Sequence, residues 1–298
     1  MATIGGSKWN SITKGEGKYV AVGENGYTTY STDGENWSIP IQVGTGTPWY
    51  GVCYGNDRFI AVGDRITSST DGINWSTPSQ IESDYPWSSV CYGNGKYVAV
   101  GSNGYIAYST NGINWSTPSQ IESDYPWSSV CYGNGKYVAV GSNGYIAYST
   151  NGFSWTNPIQ IASPSGLNSV CYGNGIFVAG GSNGYVTTST NGISWTTPKQ
   201  IEGVYFYNIC YGNDRFVTIG GVGHTSTSVD GINWTTPIHI AGGQYWNSVY
   251  YGNGKYIVVG TGGHTSTSVD GINWTTPKQI ANENGNVILN ELKGICSV

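Results

Sequence analysis

The side chains that could do acid–base or metal chemistry are few in this sequence, and they fall at repeated positions. Two of the three histidines, His224 and His264, occupy equivalent places in copies of Gly-His-Thr-Ser-Thr-Ser, and His239 lies in a predicted outer strand. Equivalent residues of neighbouring repeats point in different directions, so a shared metal would need carboxylate ligands as well. Serine and aspartate are abundant, but no nucleophile-elbow spacing marks one serine for catalysis. We therefore predict no metal, no cofactor and no enzymatic activity.

Aromatic, amide and carboxylate side chains indicate a different chemistry, the binding of sugars. Flat aromatic rings suit the apolar face of a sugar, and amide and carboxylate oxygens suit its hydroxyl rim. The candidate ligand-binding residues are Asp84, Tyr85, Asn103 and Tyr105, together with their copies Asp124, Tyr125, Asn143 and Tyr145. The alternative is that such aromatics only pack sheet on sheet. Packing is the better interpretation for Trp87 and Trp127, whose positions become Leu167 and Phe206 in later repeats.

These residues recur because the chain repeats itself about every forty residues. Seven tryptophans follow one another at steps of 38, 40, 40, 40, 39 and 40 residues: Trp37, Trp75, Trp115, Trp155, Trp195, Trp234 and Trp274. Residues 72–112 are identical to residues 112–152, so one repeat is a literal copy of its neighbour. Seven tryptophans therefore mark seven structural units.

One repeat contains four extended segments separated by turn signals. Three segments rich in aromatic and β-branched residues are 87–92, 96–100 and 105–108, and the fourth is 118–121, where Pro118 suits an edge strand. Gly93-Asn-Gly95 and Ser102-Asn-Gly104 supply residues that tolerate positive φ in tight turns. Four strands in about forty residues, repeated seven times, predict an all-β, seven-bladed β-propeller of four-stranded antiparallel blades. A linear solenoid is the less favoured alternative.

A second motif precedes each marker tryptophan. The pattern of Ser31-Thr-Asp-Gly-Glu-Asn-Trp37 recurs in every repeat as Ser-x-Asp/Asn-Gly-x-x-Trp. Valine replaces threonine in the last two repeats, and Asn111, Asn151 and Asn191 stand where the aspartate is expected. The motif resembles the Asp-box (BNR-like) repeat of sialidases and related propeller lectins, although its spacing from serine to tryptophan is one residue shorter. The resemblance implies a structural turn between third and fourth strands, formed by Asp33, Asp71, Asn111, Asn151, Asn191, Asp230, Asp270 and the seven tryptophans.

The sialidase active site is not expected here. That family binds the substrate carboxylate with three arginines and attacks with a tyrosine helped by a glutamate. The only arginines are Arg58, Arg65 and Arg215, and the first and last share one repeat position. The resemblance therefore implies the fold without the activity.

Composition restricts the partners. Twelve Lys and Arg against 17 Asp and Glu, with no basic run, argue against binding nucleic acid. No window is long and apolar enough for a membrane span, and the N-terminus lacks a signal-peptide pattern, so we expect synthesis in the cytosol without membrane insertion. Five of the six cysteines share one repeat position, which predicts a small buried thiol inside each blade and a reducing compartment.

The sequence thus predicts a propeller over residues 1–281 and a tail over residues 282–298, which either closes the ring or docks on a partner. Near-identical units offer one small surface several times, and repeated weak contacts gain strength by multivalency. The favoured function is a non-catalytic, multivalent, lectin-like adhesion module for cell-surface glycans. The expected setting is a phage particle or related injection machine, so that the protein acts on a virion or extracellular surface. The alternative is a structural or decoration propeller that binds protein subunits of an assembly.

Overall fold

A computed structural model describes residues 8–81, 85–121, 125–161, 166–203 and 205–280. The tail that the sequence predicts from residue 282, with Cys296, lies outside the described residues. The described part folds as seven antiparallel sheets that follow one another along the chain. It is the all-β, seven-bladed propeller that the repeat predicts, and its only helical segments are 3₁₀ turns of three residues.

Each blade is one contiguous stretch of chain whose strands pair in sequence order. Blade 1 contains β1 (Trp9–Gly15), β2 (Lys18–Gly23), β3 (Tyr27–Ser31) and β4 (Ile41–Gln42), and blade 2 contains β5 (Trp49–Gly55), β6 (Arg58–Gly63) and β7 (Ile66–Ser69). Blade 3 contains β8 (Trp87–Gly93), β9 (Lys96–Gly101), β10 (Tyr105–Ser109) and β11 (Ser119–Gln120), and blade 4 contains β12 (Trp127–Gly133), β13 (Lys136–Gly141), β14 (Tyr145–Ser149) and β15 (Ile159–Gln160). Blade 5 contains β16 (Leu167–Gly173), β17 (Ile176–Gly181), β18 (Tyr185–Ser189) and β19 (Lys199–Gln200). Blade 6 contains β20 (Asn208–Gly212), β21 (Arg215–Ile219), β22 (His224–Ser228) and β23 (Ile238–His239), and blade 7 contains β24 (Trp246–Gly252), β25 (Lys255–Gly260), β26 (His264–Ser268) and β27 (Lys278–Gln279).

The fourth strand is the weakest element of every blade. It is two residues long where the sequence predicts four, and in blade 2 it shrinks to the single bridge between Ile66 and Ser79. Only one of its edges has a partner strand, so little holds a longer ladder together. The first strands lie at the centre of the ring, and the fourth strands lie at its rim.

The core lies between blades as well as within them. In one cluster, Val98 and Val100 of blade 3 pack with Trp127, Val130 and Tyr137 of blade 4. Trp127 is fully buried, as are Trp87, Leu167 and Phe206 at the same position, so packing is the role of this aromatic. Burial of apolar area between sheets is the main stabilising contribution here.

A glycine and an aromatic ring fix the distance between neighbouring blades. A Cβ on Gly93 would overlap the ring of Tyr132 in the next blade, and the same contact recurs from Gly15 against Tyr54 onward. Only glycine lets the ring lie flat on the preceding strand. At the contact between blades 7 and 1, Lys14 replaces the tyrosine, and its Cδ lies 2.9 Å from the position of a Cβ on Gly252.

Among the described residues, blades 7 and 1 share no strand and meet through side-chain contacts. The Tyr19 hydroxyl donates to the Gly252 carbonyl at 2.7 Å, and Asn247 Nδ2 donates to the Trp9 carbonyl at 2.8 Å. The same tyrosine bond joins other blades, from Tyr97 to Gly55, Tyr137 to Gly93 and Tyr256 to Gly212. Ring closure therefore uses the contacts that hold the other blades together.

The ring has two faces, which we name by their turns. The upper face carries the starts of the first strands and the turns between second and third strands, such as Ser102–Gly104. The lower face carries the turns between first and second strands, such as Asn94–Gly95, and the turns that precede the marker tryptophans. No described helix is long and apolar enough to cross a membrane.

Candidate functional site

Two tyrosine pairs stand on the upper face, in blades 3 and 4. The ring of Tyr85 stacks on that of Tyr105, with centroids 5.2 Å apart and planes 18° apart. Tyr125 and Tyr145 form the equivalent pair, with centroids at 3.9 Å and planes at 30°. Tyr85 is 40% exposed, whereas Tyr105 also packs against the core. Each inner ring thus packs against an outer ring, of which Tyr85 is exposed and Tyr125 is half-buried.

Amide groups surround the inner ring of each pair. Tyr105 lies opposite Gln120 in the sheet, and Gln120 Nε2 donates to the Asn103 carbonyl at 2.7 Å. Gln160 makes the same bond to the Asn143 carbonyl at 3.0 Å. Asn103 has a φ of 53°, which asparagine tolerates better than most residues, and its side chain is exposed. The backbone of this asparagine therefore serves the turn while its side chain stays free to contact a ligand.

The structure brings together three of the four predicted residues in each copy. Tyr85 contacts Tyr105, and Asn103 lies two residues before Tyr105 in the adjoining turn. Asp84 and Asp124 lie outside the described residues.

A polar channel runs along the axis of the ring, with a volume of about 430 Å³. Residues of all seven first strands line it, and none of those residues is charged. Several of its polar groups join neighbouring blades: the Oγ of Ser11, Ser89 and Ser129 each accept a backbone N–H from the next blade, at 3.2–3.3 Å. Much of the polarity of the channel is therefore used to hold the ring together.

Two tyrosines at the upper end of this channel were not predicted as site residues. Tyr50 and Tyr207 both line the channel, and each is 39% exposed. They follow the first residue of the blade, a position that also holds Asn10, Ser88 and Asn168. The residue type at this position changes from blade to blade, and that change in the sequence could have marked it as a candidate site position.

The predicted structural turns lie on the lower face and are held by one acceptor each. Asp230 Oδ1 accepts the backbone N–H groups of Ile232 at 2.9 Å and Asn233 at 2.7 Å, and the Ser228 hydroxyl also donates to it. These bonds, led by that from Asn233, hold the pKa of Asp230 well below its usual range against the opposing effect of burial. Asn111 makes the same backbone contacts without a charge. The marker tryptophan then packs at the contact between blades, as Trp37 does beside Ile257 of blade 7.

The arginines and histidines do not come together in one site. Arg58 and Arg215 each donate to a hydroxyl in the third strand of their own blade, Ser68 and Thr227 respectively, at 3.3 Å. His224 packs against His239 within blade 6, with ring centroids 4.8 Å apart. Within the described ranges, no three His, Cys, Asp or Glu residues form a group suited to a metal ion.

The described cysteine side chains lie between blades, not within them. They were predicted to pack inside each blade, but Cys53 packs with Trp87 and Val90 of the next blade, and Cys131 and Cys171 also border the channel. The alternation of a strand separates its two sides, and it does not tell which side faces the neighbouring blade. All five described thiols are free, and burial raises their pKa.

Fold and site together define a seven-bladed propeller with a tyrosine-rich upper face. The chain is similar to several solved propellers. One is YCF48 bound to D1 peptide, with 17% identity, a TM-score of 0.71 and coverage of 89% of this chain and 92% of that one. Another is virginiamycin B lyase from Staphylococcus aureus, with 13% identity, a TM-score of 0.75 and coverage of 87% and 92%.

A third is the WD40 propeller domain of Doa1, with 13% identity, a TM-score of 0.67 and coverage of 86% and 91%. No protein-family model and no curated protein matches the chain. These likenesses establish the fold, and the propellers that share it differ in role.

Proposed function

We propose that this propeller is a non-catalytic binding module that takes glycans at the tyrosine pairs of its upper face. The observation that carries the proposal is the repeated pair itself, an outer tyrosine ring held against an inner one, stacked in blade 3 and tilted by 30° in blade 4. A fixed, exposed ring presents its face to the C–H groups of a sugar and loses little side-chain entropy on binding.

The surroundings of the pair fit the hydroxyl groups of the same ligand. The exposed Asn103 and Asn143 amides belong to the turns that precede the inner tyrosines, and they can both donate and accept hydrogen bonds. Because residues 72–112 and 112–152 are identical, both sites have the same chemistry. Two equal sites on one rigid ring suit a surface that displays the same glycan many times, such as a cell surface met by a virion or another extracellular particle.

A glycan array followed by calorimetry tests this proposal. We expect two equal sites per chain, and one site after Tyr85→Ala or Tyr125→Ala alone. The double variant should lose both of these equal sites while its urea midpoint stays close to that of the parent. Tyr245→Ala is the matched control, since Tyr245 is similarly exposed and has no ring partner among the described residues. Full binding by the double variant, or no binding to any glycan by the parent, would contradict the proposal.

Docking of protein subunits is the second candidate function, and the lower face favours it. Apolar residues at the tips of the lower turns are exposed, with Ile113 at 58% and Phe153 at 50%. The same position holds Ile193, Ile232 and Ile272, which are also exposed. A periodic row of exposed apolar side chains is unusual on a monomer and suits a protein contact. YCF48, similar in fold, is bound to a peptide.

Site-specific photo-cross-linking separates the two functions. A benzophenone side chain at position 193 should capture one defined protein, and a purified sample of that protein should lose affinity for an Ile232→Asp variant. A benzophenone at position 85 is the control on the upper face. Equal capture from both faces would count against the lower face as a docking surface.

A further inference from the structure

The upper mouth of the channel differs from the tyrosine pairs because its residues change from blade to blade. Each mouth position follows the first residue of the blade, and in blade 3 a β-bulge at Trp87 and Ser89 leaves Ser88 out of the ladder. A bulge redirects the side chain that it carries. In chain order the seven mouth residues are Asn10, Tyr50, Ser88, Ser128, Asn168, Tyr207 and Asn247.

Three of the seven mouth residues have a structural role. Asn10 Nδ2 donates to the Trp49 carbonyl at 2.9 Å, and Asn168 donates to the Phe206 carbonyl at 3.0 Å. Asn247 completes the set with its bond across the closure of the ring. An asparagine at this position therefore joins its blade to the next one.

The other four mouth residues omit this bond. Ser88 and Ser128 have no hydrogen-bond partner among the described residues, although their side chains line the channel. Tyr50 and Tyr207 place partly exposed rings there instead. Blades 2 and 6 are separated by three blades on one side and two on the other, so the two rings stand on roughly opposite sides of the mouth.

Stability alone does not account for this choice of residues. Asparagine at positions 88 and 128 would add a bond that three other blades make, yet serine stands at both. Residues that forgo an available stabilising contact are often found where a protein binds something. The mouth thus combines two unpaired hydroxyls with two aromatic rings on roughly opposite sides.

We propose that the mouth of the channel is a single binding site for one uncharged, hydroxyl-rich ligand with an apolar face, such as a hexopyranoside ring. The ring of Tyr50 or Tyr207 stacks on the apolar face, and the Ser88 and Ser128 hydroxyls bond to the ligand hydroxyls. The lining contains no charged side chain to select an ion, and the whole channel, with a volume of about 430 Å³, falls in the range of small-ligand sites, roughly 300–1,000 Å³. This site is separate from the tyrosine pairs and does not depend on their binding glycans.

Calorimetry and saturation-transfer NMR with three probes test the site: the methyl β-glycosides of glucose, galactose and N-acetylglucosamine. The measurements use the full chain carrying Tyr85→Ala and Tyr125→Ala, so that the peripheral pairs are removed. We expect at least one probe to bind with one site per chain. Adding Ser88→Asn and Ser128→Asn should weaken that binding about tenfold or more, because both free hydroxyls are lost and the mouth is narrowed.

The asparagine substitutions also guard against a trivial loss of fold. They introduce residues that blades 1, 5 and 7 already carry, so the melting temperature should rise rather than fall. If that variant fails to fold, Tyr50→Ser with Tyr207→Ser replaces it, and the same weakening is expected. Binding that persists in both mouth variants overturns the proposal. So does the absence of binding by all three probes in the Tyr85→Ala, Tyr125→Ala chain at 20 mM, which is about twenty times a millimolar Kd.

The outcomes separate this site from the peripheral ones. Two sites per chain in the parent and none after Tyr85→Ala with Tyr125→Ala support the glycan function and overturn the channel site. One site that survives those substitutions and is lost with the mouth substitutions supports the channel site, whatever the peripheral pairs bind.

Discussion

Replacing Tyr19 by phenylalanine tests how the ring is closed. Tyr19 is fully buried, and its hydroxyl donates to the Gly252 carbonyl at 2.7 Å across the contact between blades 7 and 1. Burial, aided by the neighbouring Tyr250 and Asp33, raises the pKa of Tyr19 to about 12, so the hydroxyl remains a donor at every physiological pH. Phe59, Phe177 and Phe216 fill the same position in other blades, so the ring fits without its hydroxyl.

The expected loss follows from that single bond. A neutral hydrogen bond contributes about 1 kcal/mol net, and the half-buried Gly252 carbonyl loses this donor, so Tyr19→Phe should lower the free energy of unfolding by about 1–2 kcal/mol. The urea m-value should not change, because the area exposed on unfolding is the same.

Tyr97→Phe is the matched control, since it removes the equivalent bond to Gly55 between blades 2 and 3. Both variants should lose similar global stability in urea melts. Hydrogen exchange should separate them, because strands β1 and β24 have no direct chain connection and can part locally. Faster exchange in β1 and β24 is expected for Tyr19→Phe alone. A loss below about 0.3 kcal/mol, within the usual scatter of surface substitutions, or equal exchange in both variants would refute the reasoning.

Four further predictions concern other parts of the ring. Asp230→Asn should reduce the free energy of unfolding at pH 7 and flatten the decline of stability in acid. The pKa of Asp230 is depressed in the folded protein, so the stabilisation by its carboxylate is present above the unfolded pKa of about 4 and is lost as pH falls through the folded pKa. Urea melts from pH 7 to pH 2 would show the difference. Gly93→Ala should lower the free energy of unfolding by several kcal/mol because the new Cβ overlaps the Tyr132 ring. Gly252→Ala should lower it less because the new Cβ meets the flexible Lys14 side chain. Equal losses of stability in thermal melts of the two variants would contradict the role of the ring contact. Ser88→Asn should add about 0.5–1.5 kcal/mol, and a lowered urea midpoint would show that the bond of Asn10 is not transferable. In a Cys296→Ser variant, the five described thiols should react slowly with a disulfide reagent at pH 8 and fully in urea, since burial raises their pKa; rapid reaction of the folded protein would contradict that burial.

Much of the fold is encoded locally, which is why the sequence predicts it. The marker tryptophans recur with each blade and Asn-Gly turns recur in most of them, and the predicted segments 96–100 and 105–108 match strands β9 and β10. The fourth strand was overestimated because Pro118 and its neighbours have the composition of a strand, whereas only Tyr105 and Ile106 offer it a pairing edge.

The site was predicted less completely, for physical reasons. Tyr85 and Tyr105 could be named because their type and turn position are visible in the sequence, but their stacking depends on the path of the chain between blades. Tyr50 was missed because a bulge directs it into the channel, and a two-residue alternation does not reveal a bulge. Tyr207 was missed because it lies just before the first strand of its blade, where strand alternation gives no side-chain direction. The side of the strand on which Cys53 lies was ambiguous for the related reason that both sides are buried.

Each described blade is built from one contiguous stretch of chain. No described strand is shared between the two ends of the ring, and Tyr19 joins blade 1 to blade 7 as Tyr97 joins blade 3 to blade 2. The start of the polypeptide is therefore arbitrary with respect to the closed ring. A circular permutant that begins at blade 3 and ends with blade 2, with a linker from blade 7 to blade 1, should fold to the same propeller and keep both tyrosine pairs.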